Sequence, residues 1–157
     1  MFCCCLCFLS LFLRRTLRSA RVVRQRACNT KFSWNGSAKR GSDQGNCGSR
    51  EFRVVLNSTP EAKLFYSQLP LSVSMGRFGG REFYGSMPGK MKVSSEGQYT
   101  FKDGTLTYCP TNHTVAFFYA QTSRPNLTMA VYPMGSVLGN LNIFHEMDDS
   151  VTFHFSK

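Results

Sequence analysis

From Glu51 onward the chain is built of short runs in which apolar and polar residues alternate, separated by Gly, Pro, Asn and Ser. Phe52, Val54 and Leu56 share one side of an extended segment, as do Leu71, Val73 and Met75 between Ser72 and Ser74. Val151, Phe153 and Phe155 do the same around Thr152 and His154. A period of two puts one face of each run against a core, so three half-buried strands are predicted. Thr105–Cys109 alternates Thr with Leu106 and Tyr108, Pro110–His113 turns the chain, and Thr114–Gln121 is almost continuously apolar from Val115 to Tyr119. The pair predicts a hairpin whose second strand is buried on both faces. Tyr99–Phe101 and Leu127–Tyr132 are predicted as further short strands.

Two helices interrupt this pattern. Ser58 with Glu61 forms a capping box, Pro60 suits a first turn, and Ala62, Phe65 and Leu69 recur at helical spacing until Pro70 stops the run. A second short helix is predicted from Ser136, carrying Leu138, Leu141 and Phe144. Gly76–Pro88 holds Gly76, Gly79, Gly80 and Gly85 with Phe78, Phe83 and Tyr84 between them, a Gly-rich stretch that suits a tight turn with aromatic lids or, alternatively, a ligand-facing loop. Its spacing matches neither a dinucleotide fingerprint nor a phosphate-binding Walker loop. Residues 51–157 are therefore expected to form one mainly β domain, a small closed barrel of about eight strands with two short helices.

The first 50 residues follow different rules. Phe2–Leu13 is apolar except for Ser10 and is closed by Arg14 and Arg15. Twelve helical residues span about 18 Å, well short of the ~30 Å hydrocarbon core, so a simple spanning helix is not expected. Positive charge follows the apolar run instead of preceding it, which fits a secretory signal poorly. Two readings of residues 1–28 stand. The first is a mitochondrial presequence, rich in Arg and free of acids, with Leu6, Leu9, Leu13, Leu17 and Ala20 on one helical face and most of the Arg residues opposite. The second is a membrane anchor acylated at Cys3, Cys4, Cys5 and Cys7 beside a polybasic stretch. Residues 29–50, rich in Gly, Ser and Asn, are expected to be a flexible linker.

The net charge of +10 changes meaning once it is located. Residues 1–50 carry ten Lys and Arg against the single acid Asp43, whereas residues 51–157 carry nine against eight acids. The body is nearly neutral and holds 16 of the 21 aromatics, which argues against a nucleic-acid groove on it and for a substantial core. Nucleic-acid binding would have to come from the extension. Of the seven cysteines only Cys109 lies in the body, so no disulfide framework is expected there.

Candidate chemistry in the body is sparse. His113, His145 and His154 are spread over a turn, a helix and a strand. Cys109 has no basic neighbour in sequence to favour its thiolate, and Glu146, Asp148 and Asp149 read as a solvated turn. No catalytic residue, metal site or cofactor is expected. Asn35, Asn57, Asn112 and Asn126 begin Asn-x-Ser/Thr sequons, which matter only in a secretory compartment.

The order of several segments resembles the small cyclophilin-like domain proteins. The resemblance rests on Gln68-Leu69-Pro70-Leu71, on Gly79-Gly80-Arg81-Glu82-Phe83-Tyr84-Gly85 with Pro88 after it, and on Asp103-Gly104-Thr105-Leu106-Thr107-Tyr108. Val115-Ala116-Phe117-Phe118-Tyr119 and Pro133-Met134-Gly135-Ser136-Val137 complete it. The family usually has an acid where this chain has Thr105. The resemblance implies an eight-stranded barrel capped by helices. It does not imply prolyl isomerisation, since true cyclophilins carry a Phe-His-Arg segment and a Phe-Met-x-Gln-Gly-Gly stretch, and neither occurs here. The expected activity is binding of a small molecule or peptide at Arg81, Glu82, Tyr84, Tyr108 and Tyr119, the polar and aromatic groups of the most family-like segments. The alternative is a divergent prolyl isomerase.

Overall fold

The computed structural model describes residues 27–34, 50–121 and 126–157. The expectations for residues 1–26, including acylation of Cys3, Cys4, Cys5 and Cys7, and for residues 35–49 lie outside the described residues. Among the described residues no helix is long and apolar enough to cross a membrane.

The chain runs β1 (Ala27–Trp34), β2 (Arg50–Leu56), α1 (Pro60–Ser67), β3 (Leu71–Phe78), β4 (Glu82–Ser86), β5 (Thr105–Cys109), β6 (Thr114–Phe118), β7 (Tyr132–Leu138), α2 (Asn142–His145) and β8 (Ser150–Ser156). Seven strands pair antiparallel in the order β2-β7-β5-β6-β4-β3-β8 and curl into a half-barrel. The β1 segment lies in parallel register beside both ends of this sheet, with Thr30 opposite Phe52 on β2 and opposite Phe155 on β8. Ala27–Trp34, expected to straddle the end of the targeting segment and the start of a linker, is thus a strand, and its Cys28 and Thr30 side chains are buried.

The alternating runs bury their expected faces. Phe52, Val54 and Leu56 point inward with Val73, Met75, Phe83, Leu106, Tyr108, Val115, Phe117, Val151, Phe153 and Phe155. Packed rings hold the centre, with Phe117 edge-to-face on Phe52 at 5.3 Å and tilted against Phe153 at 5.4 Å. The helices cover opposite ends. At the start of β2, Phe144 of α2 packs on Phe52 at 5.2 Å; past the end of β2, Phe65 of α1 packs on Phe155 at 5.5 Å.

Several expected elements are corrected. Within Gly76–Pro88 the glycines do make a tight turn, at Gly79 and Gly80, whose positive φ of 58° and 66° would strain any residue with a Cβ, but its flanks are paired strands, the ends of β3 and β4. Tyr99–Phe101 is extended chain outside the strands, with an isolated bridge from Gln98 to Val131. The body therefore supplies seven strands, and not the eight expected of it. Leu127–Tyr132 is largely a covering segment, and the strand begins at Tyr132. Ser136 lies within that strand, and the second helix starts only at Asn142. The helix α1 is capped by Thr59, whose hydroxyl accepts the Ala62 N–H at 3.3 Å, and not by a box of Ser58 with Glu61. Glu61 is engaged elsewhere: its carboxylate accepts the Ser94 and Ser95 N–H groups at 2.6 and 3.0 Å and the Ser95 hydroxyl at 2.8 Å.

Candidate functional site

Period-two geometry that sends Phe83, Leu106, Tyr108, Val115 and Phe117 inward sends their neighbours outward. On three adjacent strands the outward residues are Glu82 and Tyr84 of β4, Ala116 and Phe118 of β6, and Thr107 and Cys109 of β5. Tyr84 and Thr107 both stand opposite Ala116, so one row across the sheet reads Tyr84, Ala116, Thr107. A small residue between two larger ones leaves a depression. The segment Leu127–Val131 lies over this face, and Phe101 stacks on Phe118 at 4.2 Å, forming a small second core outside the sheet. What remains open between sheet and covering segment is a groove of about 250 Å³.

The β3–β4 turn sets one wall. It brings Phe78 opposite Glu82 and lays the Phe78 ring edge-to-face on Tyr84 at 5.9 Å. Phe78 is 53% exposed, Tyr84 42% and Met129 37%, so three of the six large hydrophobic residues exposed among the described residues line this groove. Clustering of this kind is what separates a recognition surface from scattered exposed residues.

Beneath the rim lie polar groups with few partners. The Glu82 side chain is 12% exposed, and among the described residues its ion-pair partner is Arg81, whose Nε lies 3.8 Å from Oε1, beyond hydrogen-bond reach. Burial pushes the Glu82 carboxyl above the usual carboxylate range, and the Arg81 charge offsets this only in part. Arg81 itself sits over the Phe101 ring at 5.5 Å. Thr107 is 1% exposed and its Oγ1 has no hydrogen-bond partner among the described residues. Its strand is irregular there: Leu106 pairs with Gly135 but Thr107 with Pro133, a bulge that skips Met134, and bulges recur beside functional sites. Cys109 completes the floor, buried, its thiol donating to Asn112 Oδ1 at 3.3 Å.

Of the five residues singled out from sequence, the groove therefore gathers Arg81, Glu82 and Tyr84. Tyr108 and Tyr119 face the interior. The Tyr108 hydroxyl accepts the Met91 N–H at 3.1 Å, and Tyr119 stacks on Phe144 at 5.4 Å while its hydroxyl accepts from Arg77 Nη1 at 2.7 Å. Tyr108 lies on an inward position of an alternating run, whose phase alone points outward at Thr107, whereas the continuous apolar run to Tyr119 shows no phase from which Ala116 could be read. No sequence signal pointed to Met129, whose role depends on the covering segment.

The histidines remain apart. His113 Nδ1 lies 3.4 Å from the Tyr108 hydroxyl, His154 Nδ1 lies 2.7 Å from Ser72 Oγ, and His145 meets the Tyr119 ring edge at 4.9 Å. Among the described residues no three His, Cys, Asp or Glu side chains converge as metal ligands. A second groove of about 430 Å³ lies nearby, past Phe101 and Thr107, between Asn57, Lys102, Ser136 and Leu138. Its Asn57 is structural: the side-chain amide donates to the Pro133 carbonyl at 2.8 Å and Oδ1 accepts from Thr59 N–H and hydroxyl.

A family model described as the cyclophilin-like family matches residues 46–156. Among solved structures, the chain is similar to the solution structure of a hypothetical protein from Archaeoglobus fulgidus, at 15% identity and a TM-score of 0.47, over 59% of this chain and 72% of that one. No curated protein matches the chain.

Proposed function

The chain belongs to the cyclophilin-like family, and from that premise we propose that it is a binding domain whose groove on the outer face of β4, β6 and β5 takes a small molecule or a peptide side chain. One observation carries this reading. The Thr107 hydroxyl is buried in this groove without a hydrogen-bond partner among the described residues, and in the same groove the Glu82 carboxyl, 12% exposed, has Arg81 as its ion-pair contact at 3.8 Å, beneath a rim of exposed rings and Met129. An unpartnered buried polar group costs about 1–3 kcal/mol, a cost that a complementary ligand removes. A ligand screen by thermal shift on the full chain and on Tyr84→Ala tests it. Hits that raise the melting temperature of the parent and not of the variant support the groove; hits indifferent to Tyr84→Ala count against it.

A second reading, a divergent prolyl isomerase, draws on Arg81 lying among Phe101, Phe118 and Tyr84 on an outer sheet face. A proline-peptide isomerisation assay separates the two: binding alone predicts no turnover, and turnover lost in Arg81→Ala favours the enzyme.

Two further points belong to the same proposal. The β1 strand closes the half-barrel into eight strands by pairing with β2 and β8, a reading its parallel registers support. Residues 1–28 act as an address, mitochondrial or membrane-contacting, and carry six of the 19 Lys and Arg with no acid; nucleic-acid binding is not part of this reading. Imaging a C-terminal fluorescent fusion with and without residues 1–28 checks this, and an unchanged distribution excludes it.

A further inference from the structure

Resting on the groove proposed above, we infer that its ligand is an organic cation: an ammonium, amidinium or guanidinium group set against the Glu82 carboxylate and carried on a small apolar body that lies over Ala116 between Tyr84 and Met129. The inference comes from which partners the groove lacks. Arg81 is committed to the Phe101 ring at 5.5 Å, and its Nε stands 3.8 Å from Glu82, too far to satisfy the carboxylate's lone pairs. Among the described residues the groove therefore presents a largely buried carboxylate with no donor within hydrogen-bond reach, Arg81 being its ion-pair contact at 3.8 Å. A cation supplies donors and opposite charge together, and charge-assisted bonds of this kind are the strong ones.

The walls fit the same chemistry. Tyr84 and Phe78 offer π surface at the mouth, which attracts cations as well as apolar bodies. An anionic ligand would meet the Glu82 carboxylate in a low-dielectric setting, and an apolar one would supply a hydrogen bond to neither Glu82 nor Thr107. Size narrows the class further. A volume of about 250 Å³ equals roughly eight water molecules at liquid density, so the bound part is a ring or a short chain rather than a nucleotide. Thr107 lies on the far side of Ala116 from Tyr84, about two strand spacings or ~10 Å across the sheet. Its hydroxyl offers a place for a neutral polar group at the other end of the ligand.

The same chemistry can arrive as a free amine or as a Lys or Arg side chain of a peptide, and one titration series addresses both sources. The full chain is titrated with phenethylamine, benzamidine, 2-phenylethanol and phenylacetate, and with N-acetyl-lysine methylamide and its ε-acetylated counterpart, reading the backbone amides of Glu82, Tyr84 and Ala116 by NMR. The two aromatic cations are expected to bind at least tenfold tighter than the alcohol and the acid, and Glu82→Gln to abolish that preference while its amide spectrum stays folded. Preference for the lysine derivative over its acetylated counterpart, beyond that of the free amines, assigns the source to a peptide; the reverse assigns it to a free amine. If the alcohol and the acid bind at these amides as well as the cations, the cation inference is overturned and the groove stands. If no probe moves these amides, both fall.

Discussion

Two glutamates show how surroundings move a single carboxyl in opposite directions. Burial alone would push the Glu61 carboxyl up, but the N–H groups of Ser94 and Ser95 and the Ser95 hydroxyl outweigh it and hold Glu61 below the usual range. Glu61 is sealed beneath the segment it pins, so it ties residues 94–95 to α1. A depressed folded-state value means its stabilisation is fully present above the unfolded carboxylate range and is lost as pH falls through the folded value. Glu61→Gln is expected to cost about 1.5–3 kcal/mol at pH 7 and less toward pH 3, measured by urea unfolding across pH. Glu82 has the opposite sign. Its raised value means ionisation is harder folded than unfolded, so it costs stability once pH rises above the unfolded carboxylate range. Glu82→Gln should therefore raise the melting temperature at pH 7, on the order of a few degrees, with the gain shrinking toward pH 4. A loss of stability on this substitution at pH 7 would show that Glu82 is a structural acid like Glu61. Stability sacrificed at a binding position is the usual trade.

At the scale of elements, what was legible in the sequence depended on whether local pattern and tertiary environment agreed. The runs Phe52–Leu56, Leu71–Met75, Thr105–Cys109 and Val151–Phe155 state their phase in residue type, and each became a strand with the expected face inward. Tyr132–Leu138 did not announce itself, because Pro133 and Gly135 are poor strand formers in isolation. The bulge accommodates Pro133, and Gly135 lies where a Cβ would come within 2.6 Å of the Val55 carbonyl oxygen. The Gly79–Gly80 pair was legible as a tight turn, but the pairing of its flanks was not, because turn glycines do not state which strands they join. Three site residues were legible because they cluster beside that turn, whereas Thr107 and Met129 needed a third dimension. The β1 strand was hidden by its setting, a basic and polar stretch whose partners lie more than 100 residues away at β8. Removing residues 1–34 uncovers two strand edges, on β2 and β8. The shortened chain is expected to melt several degrees or more below the full chain or to self-associate, read by thermal unfolding and light scattering. A monomer with unchanged melting temperature would mean that the antiparallel seven-stranded sheet is complete without β1.

For the molecule as a whole, charge and fold divide the chain in complementary ways. The basic extension bears most of the +10, while the β domain is nearly neutral and its one neighbouring pair of opposite charges at the groove, Arg81 with Glu82, sits at the β3–β4 turn. Aromatic rings pack through the interior among the described residues. The proposed recognition site is on the outer face, where a small residue, Ala116, opens space under a covering segment. The most direct measurement is an amide shift map of the full chain, recorded by NMR with the tightest hit of the thermal-shift screen. The account predicts one contiguous patch containing Glu82, Tyr84, Thr107, Ala116 and Met129. A patch centred on Lys102, Ser136 and Leu138, or shifts confined to the opposite face of the sheet, would contradict it.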